Sequence, residues 1–415
     1  MKSEQFMLRV FLCFFLLLSC CFKAHADNLV SFVRTSTMTV ADANARMKKL
    51  MKGFAPAPAT RPIDLYKVRY NSKDEKNANV VLSALVALPR GGAPKGLVIF
   101  NHGTTGDRAM SPSRWTTKMH IGEAQWGILN YATGGYAVAM PDYLGLGDHA
   151  GPHPYPLSDL NALSAIDLIA PARTIATKTG VAVPAKLYIT GYSEGGAVAM
   201  WATKLLEARG VAITASAPVS GPYDLSNTTR KSIAAPPKTI IQFAAQLYLL
   251  AYTVRYFHQT RDVPLTDYFT PRMATFVKDL FDKGWSDETM IRSLLLHAYS
   301  LGANNNLDKI TTPRFRKAMA EFDSSDPVIQ ELADSDCYDW SPKTKMLLVS
   351  LENDDVVDAV NTKVAMDAMR ARGVTPTTLR QVVVSDSRLN HLTAPMRLLA
   401  ITRKFFDGGF AGAGA

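Results

Sequence analysis

Cysteine is nearly absent from the body of this chain. Of its four cysteines, Cys13, Cys20 and Cys21 crowd into the first residues and Cys337 stands alone. One thiol forms no intrachain disulfide, so an exported form of the chain would be held by its core rather than by covalent staples. Cys337 reads as a bystander rather than a nucleophile. Long apolar runs are also scarce. Val10 to Phe22 is almost wholly apolar but shorter than the roughly 20 residues a membrane crossing takes. Thr239 to Phe257 is long enough, yet Gln242, Gln246 and Arg255 interrupt it, which favours a helix lying over a site instead of a stable membrane span. No long basic run and no nucleic-acid motif appears, so the net charge of +10 reads as a solvated surface. No glycine-rich phosphate loop is present. His149 and His153 are the most tempting metal ligands, but no second cluster completes a metal spacing. Neither a metal nor a cofactor is expected.

What is present begins with a targeting pattern. Lys2 and Arg9 precede the apolar run, and Ala24-His25-Ala26 has the small-x-small form that signal peptidase reads. Residues 1–26 are therefore expected to be a removed signal peptide, giving a secreted or periplasmic protein. Retention as an anchor, or lipidation at Cys20 or Cys21, are the alternatives. Lys2, Arg9 and Lys23 against Glu4 give this segment +2 of the net charge, leaving +8 on the rest.

The remaining chain alternates apolar runs with helical patterns. Tyr66 to Tyr70 and Val80 to Leu88 suit opening strands, after a mixed stretch over 27–62. Leu97 to Phe100, Tyr136 to Met140, Lys186 to Thr190, Ile213 to Val219, Met346 to Leu351 and Leu379 to Ser385 read as strands, several of them continuous apolar runs of the buried parallel kind. Helical patterns fall at Ala162 to Thr179, Ala197 to Arg209, Ala359 to Arg372 and Met396 to Phe406. Gly408 to Ala415 reads as a frayed tail. This order predicts an α/β fold, a mostly parallel sheet with helices on both faces. From 226 to 340 the alternation stops and the pattern is helical, so a cap is expected there, inserted between core segments 27–225 and 341–415.

The sharpest motif is Gly191-Tyr192-Ser193-Glu194-Gly195, extended by Gly196. The pattern G-x-S-x-G alone occurs by chance in roughly one chain of this size in ten. Here it follows an apolar strand and opens a helix, the setting of a nucleophile elbow. A serine hydroxyl needs a base. Of the histidines after Ser193, His258 and His297 fall in the expected cap, whereas His391 follows a strand and precedes the last helix. His391 is the candidate base. The acid should follow strand Met346 to Leu351, where Asp354 is the candidate and Asp355 the rival. The loop His102-Gly103-Thr104-Thr105-Gly106 is a variant of the oxyanion loop in this fold. It offers the Thr104 N–H, with Thr105 as alternative, beside the Glu194 N–H; His102 reads as a brace for the loop.

These segments, with Pro141-Asp142-Tyr143-Leu144-Gly145-Leu146-Gly147 and His153-Pro154-Tyr155, resemble secretory lipases and secreted bacterial esterases of the α/β-hydrolase superfamily. Fungal lipase-A-like enzymes and cell-wall-degrading esterases of plant pathogens belong to that group. The resemblance runs from about Pro89 to Ala394. It implies an α/β-hydrolase fold, a large helical cap over the pocket, ester hydrolysis outside the cytoplasm, and a lining role for Asp142 to Tyr155. A serine peptidase of the same fold and an inactive hydrolase-like binding protein are the competing readings. Tyr248, Tyr252, Tyr256 and Phe257 of the expected cap are candidates either for contact with an acyl chain or for the cap's own core.

Overall fold

The computed structural model describes residues 28–415 apart from 52, 55 and 56; the expected signal peptide at 1–26 lies outside the described residues. Among the described residues nine strands form one sheet: β1 (Leu29–Met38), β2 (Ile63–Lys73), β3 (Asn79–Pro89), β4 (Leu97–Asn101), β5 (Ala137–Pro141), β6 (Leu187–Tyr192), β7 (Ala215–Val219), β8 (Met346–Leu351) and β9 (Leu379–Val384). Their spatial order is β1-β2-β3-β5-β4-β6-β7-β8-β9. The first three strands join by antiparallel pairing, and from β5 to β9 every pair is parallel.

Side chains that alternate along a strand point to opposite faces, and both faces of this sheet are covered. Val98 and Phe100 of β4 face helix Val40–Leu50, the helical turns at 124–132 and helix Pro395–Ala413. Leu97 and Ile99 face helices Ser158–Asp167, Ile169–Lys178 and Glu194–Ala208. Burial on both sides explains why β4 and β5 read as unbroken apolar runs rather than as alternating ones. Cys337 is buried beside Tyr223 and Met200, and burial pushes its thiol well above the ordinary range. Such a thiol is a poor nucleophile.

Between β7 and β8 the chain makes a set of helices, chief among them Ile240–Arg261, Pro271–Lys278, Asp287–Ser300, Pro313–Glu321 and Pro327–Asp334. They pack around an apolar cluster of their own, with Phe243, Leu247, Phe257, Met273 and Leu294 fully buried, joined by Tyr155, Leu157 and Leu225 from the sheet side. Among the described residues no helix is long and apolar enough to cross a membrane.

Three stretches depart from the sequence expectation. The mixed stretch at the start holds β1 and helix Val40–Leu50. The helix expected over 162–179 is two helices meeting at Leu168. The tail is not frayed: helix Pro395–Ala413 continues through a break at Gly408 and Gly409, and Arg380 donates to the Ala415 carbonyl.

Candidate active site

Ser193 sits between β6 and helix Glu194–Ala208 at φ 59°, ψ −124°, a conformation that is strained for any residue with a side chain. The elbow demands glycine on both sides. A Cβ on Gly191 would lie 2.1 Å from the Gly195 carbonyl oxygen, and one on Gly195 would lie 2.1 Å from the Asn101 carbonyl oxygen. The Ser193 N–H donates to the Val219 carbonyl on the neighbouring strand at 3.0 Å, so the sheet itself holds the turn.

The loops after β8 and β9 deliver the two partners. His391 Nε2 lies 2.8 Å from Ser193 Oγ. Its Nδ1 lies 2.8 Å from both carboxylate oxygens of Asp354. The Asp354 side chain is 1% exposed and also accepts from the Val356 and Val357 N–H groups at 3.0 and 2.9 Å. Asp355 meets the same histidine differently: its carboxylate accepts from the His391 backbone N–H at 3.0 Å. The ring of His391 thus engages Asp354, and Asp355 fixes the loop that carries it.

Tyr192, the unspecified residue inside the motif, completes this arrangement. Its hydroxyl donates to the His391 carbonyl at 2.7 Å. Burial, reinforced by the charge of Asp354, pushes its phenol well above the ordinary value, so it stays protonated as a donor. Nothing in the motif marks this role, because the pattern accepts any side chain at that position.

Thr104 and Glu194 line the same cavity as Ser193 and His391, whereas Thr105 does not. Among the described residues the Thr104 N–H donates to no protein acceptor, while its neighbours are tied down. The Gly103 N–H donates to Glu123 Oε2 at 2.6 Å and the Gly106 N–H to Asp287 Oδ1 at 2.8 Å. Thr105 is engaged through its hydroxyl and carbonyl. His102 stacks on Tyr143 and lies 2.7 Å through Nδ1 from the Gly103 carbonyl. Burial holds its imidazole below the ordinary value, which suits a neutral brace. Glu194 lines the cavity, and its side chain is bonded to His153 Nε2 and Asn161 Nδ2, each at 2.9 Å.

Of the stretch 142–155, Tyr155 lines the cavity. Asp142 is instead buried behind it, accepting from the Ser83 hydroxyl and the Ser113 N–H, and His153 braces Glu194. His149 accepts from the Gly145 and Gly151 N–H groups through Nδ1. Among the described residues no group of three or more His, Cys, Asp or Glu is arranged to hold a metal. His258 and His297 lie on the helices between β7 and β8, bonded to backbone carbonyls.

The cavity holds about 450 Å³. Val356, Val357 and Leu392 form part of its wall from the sheet side, and Ile233, Ile241, Ala245, Tyr248, Leu249 and Ile291 from the intervening helices. Of the four aromatic candidates only Tyr248 reaches it; Tyr252, Tyr256 and Phe257 are buried among the helices. Glu123 is a carboxyl on the cavity wall that no sequence motif marks. Burial, reinforced by Glu194 and Asp287 and opposed by the Gly103 N–H, pushes it up to about 8. It is therefore neutral at pH 7 and ionises in mild alkali, beside the loop that carries Thr104.

A twisted, mostly parallel sheet with a strained serine at the head of β6, and partners after β8 and β9, defines an α/β hydrolase. The model of the alpha/beta hydrolase family matches residues 97–400, and the chain belongs to that family. Several solved structures share its fold. A proposed hydrolase from Legionella pneumophila is 26% identical, covering 92% of this chain and 98% of that one, with a TM-score of 0.79. The rice cell wall degrading esterase LipA from Xanthomonas oryzae is 22% identical over 91% of this chain and 98% of that one, with a TM-score of 0.77. Candida antarctica lipase A in its closed state is 15% identical over 92% and 83%, with a TM-score of 0.63. Among curated proteins none matches the chain. The resemblance drawn from the motifs, to a group that includes cell-wall-degrading esterases and fungal lipase-A-like enzymes, agrees with these neighbours.

Proposed function

We propose that this hydrolase is an exported serine esterase or lipase that cleaves carboxylic esters through Ser193, His391 and Asp354. The observation that carries the reading is the unbroken relay from Ser193 Oγ to His391 Nε2 and from His391 Nδ1 to Asp354, each step 2.8 Å, opening onto an apolar cavity. Export rests on the pattern of residues 1–26. The helices of 226–340 act as a cap that supplies one wall of the acyl site.

In this reading His391 Nε2 takes the proton of Ser193 as Oγ attacks the ester carbonyl carbon. Asp354 keeps the proton of the neutral ring on Nδ1 and stabilises the imidazolium that forms. The Thr104 and Glu194 N–H groups bind the oxyanion, the latter aided by the N-terminus of its helix. Collapse breaks the bond to the alcohol, which leaves with the proton from His391. Water, deprotonated by His391, then attacks the acyl carbon; the bond to Ser193 Oγ breaks, Oγ takes the proton back from His391, and the acid leaves.

The test is hydrolysis of p-nitrophenyl esters from acetyl to palmitoyl. A buried methylene contributes about 0.8 kcal/mol, so two methylenes in an apolar cavity should raise kcat/KM roughly tenfold from acetyl to butyryl. An optimum on short chains marks a soluble or cell-wall esterase, and one on long chains a lipase. No turnover of any ester, with cleavage of aminoacyl amides instead, would transfer the site to a peptidase.

The state of Glu123 gives this reading a pH signature. Below about pH 8 the carboxyl is neutral; above it, a negative charge stands one residue from the Thr104 N–H and opposes the oxyanion. The expected result is a several-fold fall in kcat as pH rises through about 8. Glu123→Gln, which keeps an acceptor for the Gly103 N–H, should lose that fall. A variant whose alkaline limb matched the parent's would assign that limb to another group.

A further inference from the structure

The loop that carries Thr104 belongs to the sheet, but half of its anchorage comes from the inserted helices. Asp287 is the first residue of helix Asp287–Ser300. Its Oδ1 accepts from the Gly106 N–H at 2.8 Å and from the Tyr248 hydroxyl at 2.5 Å. Its Oδ2 accepts from the Thr105 hydroxyl at 2.5 Å. Tyr252, on the same helix as Tyr248, donates its hydroxyl to the Thr105 carbonyl at 3.1 Å. The loop is shaped to receive these groups. A Cβ on Gly106 would lie 2.8 Å from the Tyr248 hydroxyl oxygen and 3.0 Å from Met290 Cε and Phe281 Cδ1. The last glycine of His102-Gly103-Thr104-Thr105-Gly106 thus makes room for side chains that arrive from about 140 to 185 residues further along the chain.

On the assignment of Ser193 and Thr104 made above, the geometry points to Asp287 as a positioning residue for the oxyanion hole. Glu123 holds the loop on the Gly103 side of Thr104, from within the sheet domain. Asp287 holds it on the Thr105 and Gly106 side, from the cap. A donor stabilises an oxyanion only when it lies within hydrogen-bond distance of where that charge develops. Freeing one side of the loop displaces the Thr104 N–H from that point. It also removes the acceptor that the Gly106 N–H, the Thr105 hydroxyl and the Tyr248 hydroxyl share, leaving the Gly106 N–H with the Tyr248 hydroxyl oxygen alone, at 2.9 Å. The cap is therefore part of the catalytic scaffold. A motion that lifted helix Asp287–Ser300 away would open the cavity and disassemble the oxyanion hole together.

Removing an oxyanion donor costs about 10² to 10³ in turnover, and displacing one costs part of that. Asp287→Ala should therefore lower kcat for a p-nitrophenyl ester about 10- to 100-fold while KM stays within about threefold. A purely structural role would lower the melting temperature without changing the kcat of the folded fraction. Affinity for a trifluoromethyl ketone, which forms a tetrahedral oxyanion on the serine, should fall by the same factor as kcat, and affinity for the product acid should not. Should the alanine variant fail to fold, Asp287→Asn decides. Its amide oxygen can still receive the Gly106 N–H, but its nitrogen cannot accept from Thr105, so kcat should fall at least threefold. Unchanged kcat in a folded variant overturns the inference. If hydrolysis proved independent of Ser193, the nucleophile assignment would fail first; Ser193-dependent hydrolysis indifferent to Asp287 would sink this inference alone.

Discussion

Ser193→Ala should lower kcat for ester hydrolysis by about 10⁶ with the fold and the melting temperature preserved. The magnitude is that of removing the nucleophile from a serine protease triad, where the residual rate comes from binding and the oxyanion hole; it corresponds to about 8 kcal/mol of barrier. Preservation of the fold follows from the local structure. Ser193 Oγ bonds to His391 across the cavity edge, and the elbow is held by backbone contacts of Gly191, Gly195 and Val219 that alanine leaves in place. His391→Ala should lose a comparable factor, and the double variant little more than either single one, because the two act as a unit. Steady-state kinetics beside a thermal melt checks this. A loss below about 10² in an intact Ser193→Ala protein would mean that another group performs the attack.

The second large effect separates two neighbouring acids. Asp354→Asn should cost about 10⁴ in kcat, because an amide beside Nδ1 favours the wrong tautomer of the base. Asp355 touches only the backbone N–H of His391, and an asparagine oxygen there can accept the same bond. Asp355→Asn should therefore lose no more than about tenfold. The pair of variants measured side by side reads the register of the loop directly. Equal losses, or the larger loss at Asp355, would contradict the assignment of Asp354.

The fold was legible where burial dictates composition. β4 and β5 are covered on both faces and read as apolar runs. β1 was not legible. It is an edge strand whose side chains are mostly partly or fully exposed, so polar residues such as Arg34, Ser36 and Thr37 fall on it with no clean period. The break at Leu168 was invisible because both flanking helices share one apolar pattern against the sheet. The C-terminal residues looked frayed because of their glycines. In the fold, Gly409 takes a positive φ at a break in the helix, and Phe410 beyond it packs against Phe405.

The candidate site was legible where chemistry restricts residue type. A strained serine flanked by glycines, and a histidine between a strand and the last helix, have few alternatives. Asp354 and Asp355 could not be separated by pattern, since both acids occupy the one turn after β8. Tyr192, Glu123 and Asp287 were missed for a different reason. Each acts on the backbone of a partner far away in sequence, His391, Gly103 and Gly106 respectively. A carboxylate at the start of a helix, such as Asp287, reads as an ordinary partner of the helix dipole until the loop it holds is seen.

Labelling with a fluorophosphonate, followed by mapping of the modified peptide, tests the role of Ser193 as the activated nucleophile. The reagent reacts with a serine only when a base and an oxyanion site activate it. The expected result is a single modified residue, Ser193, with labelling abolished by His391→Ala and hydrolysis lost in step with its progress. An unlabelled Ser193 in folded protein, or hydrolysis that survives complete labelling, would contradict that role.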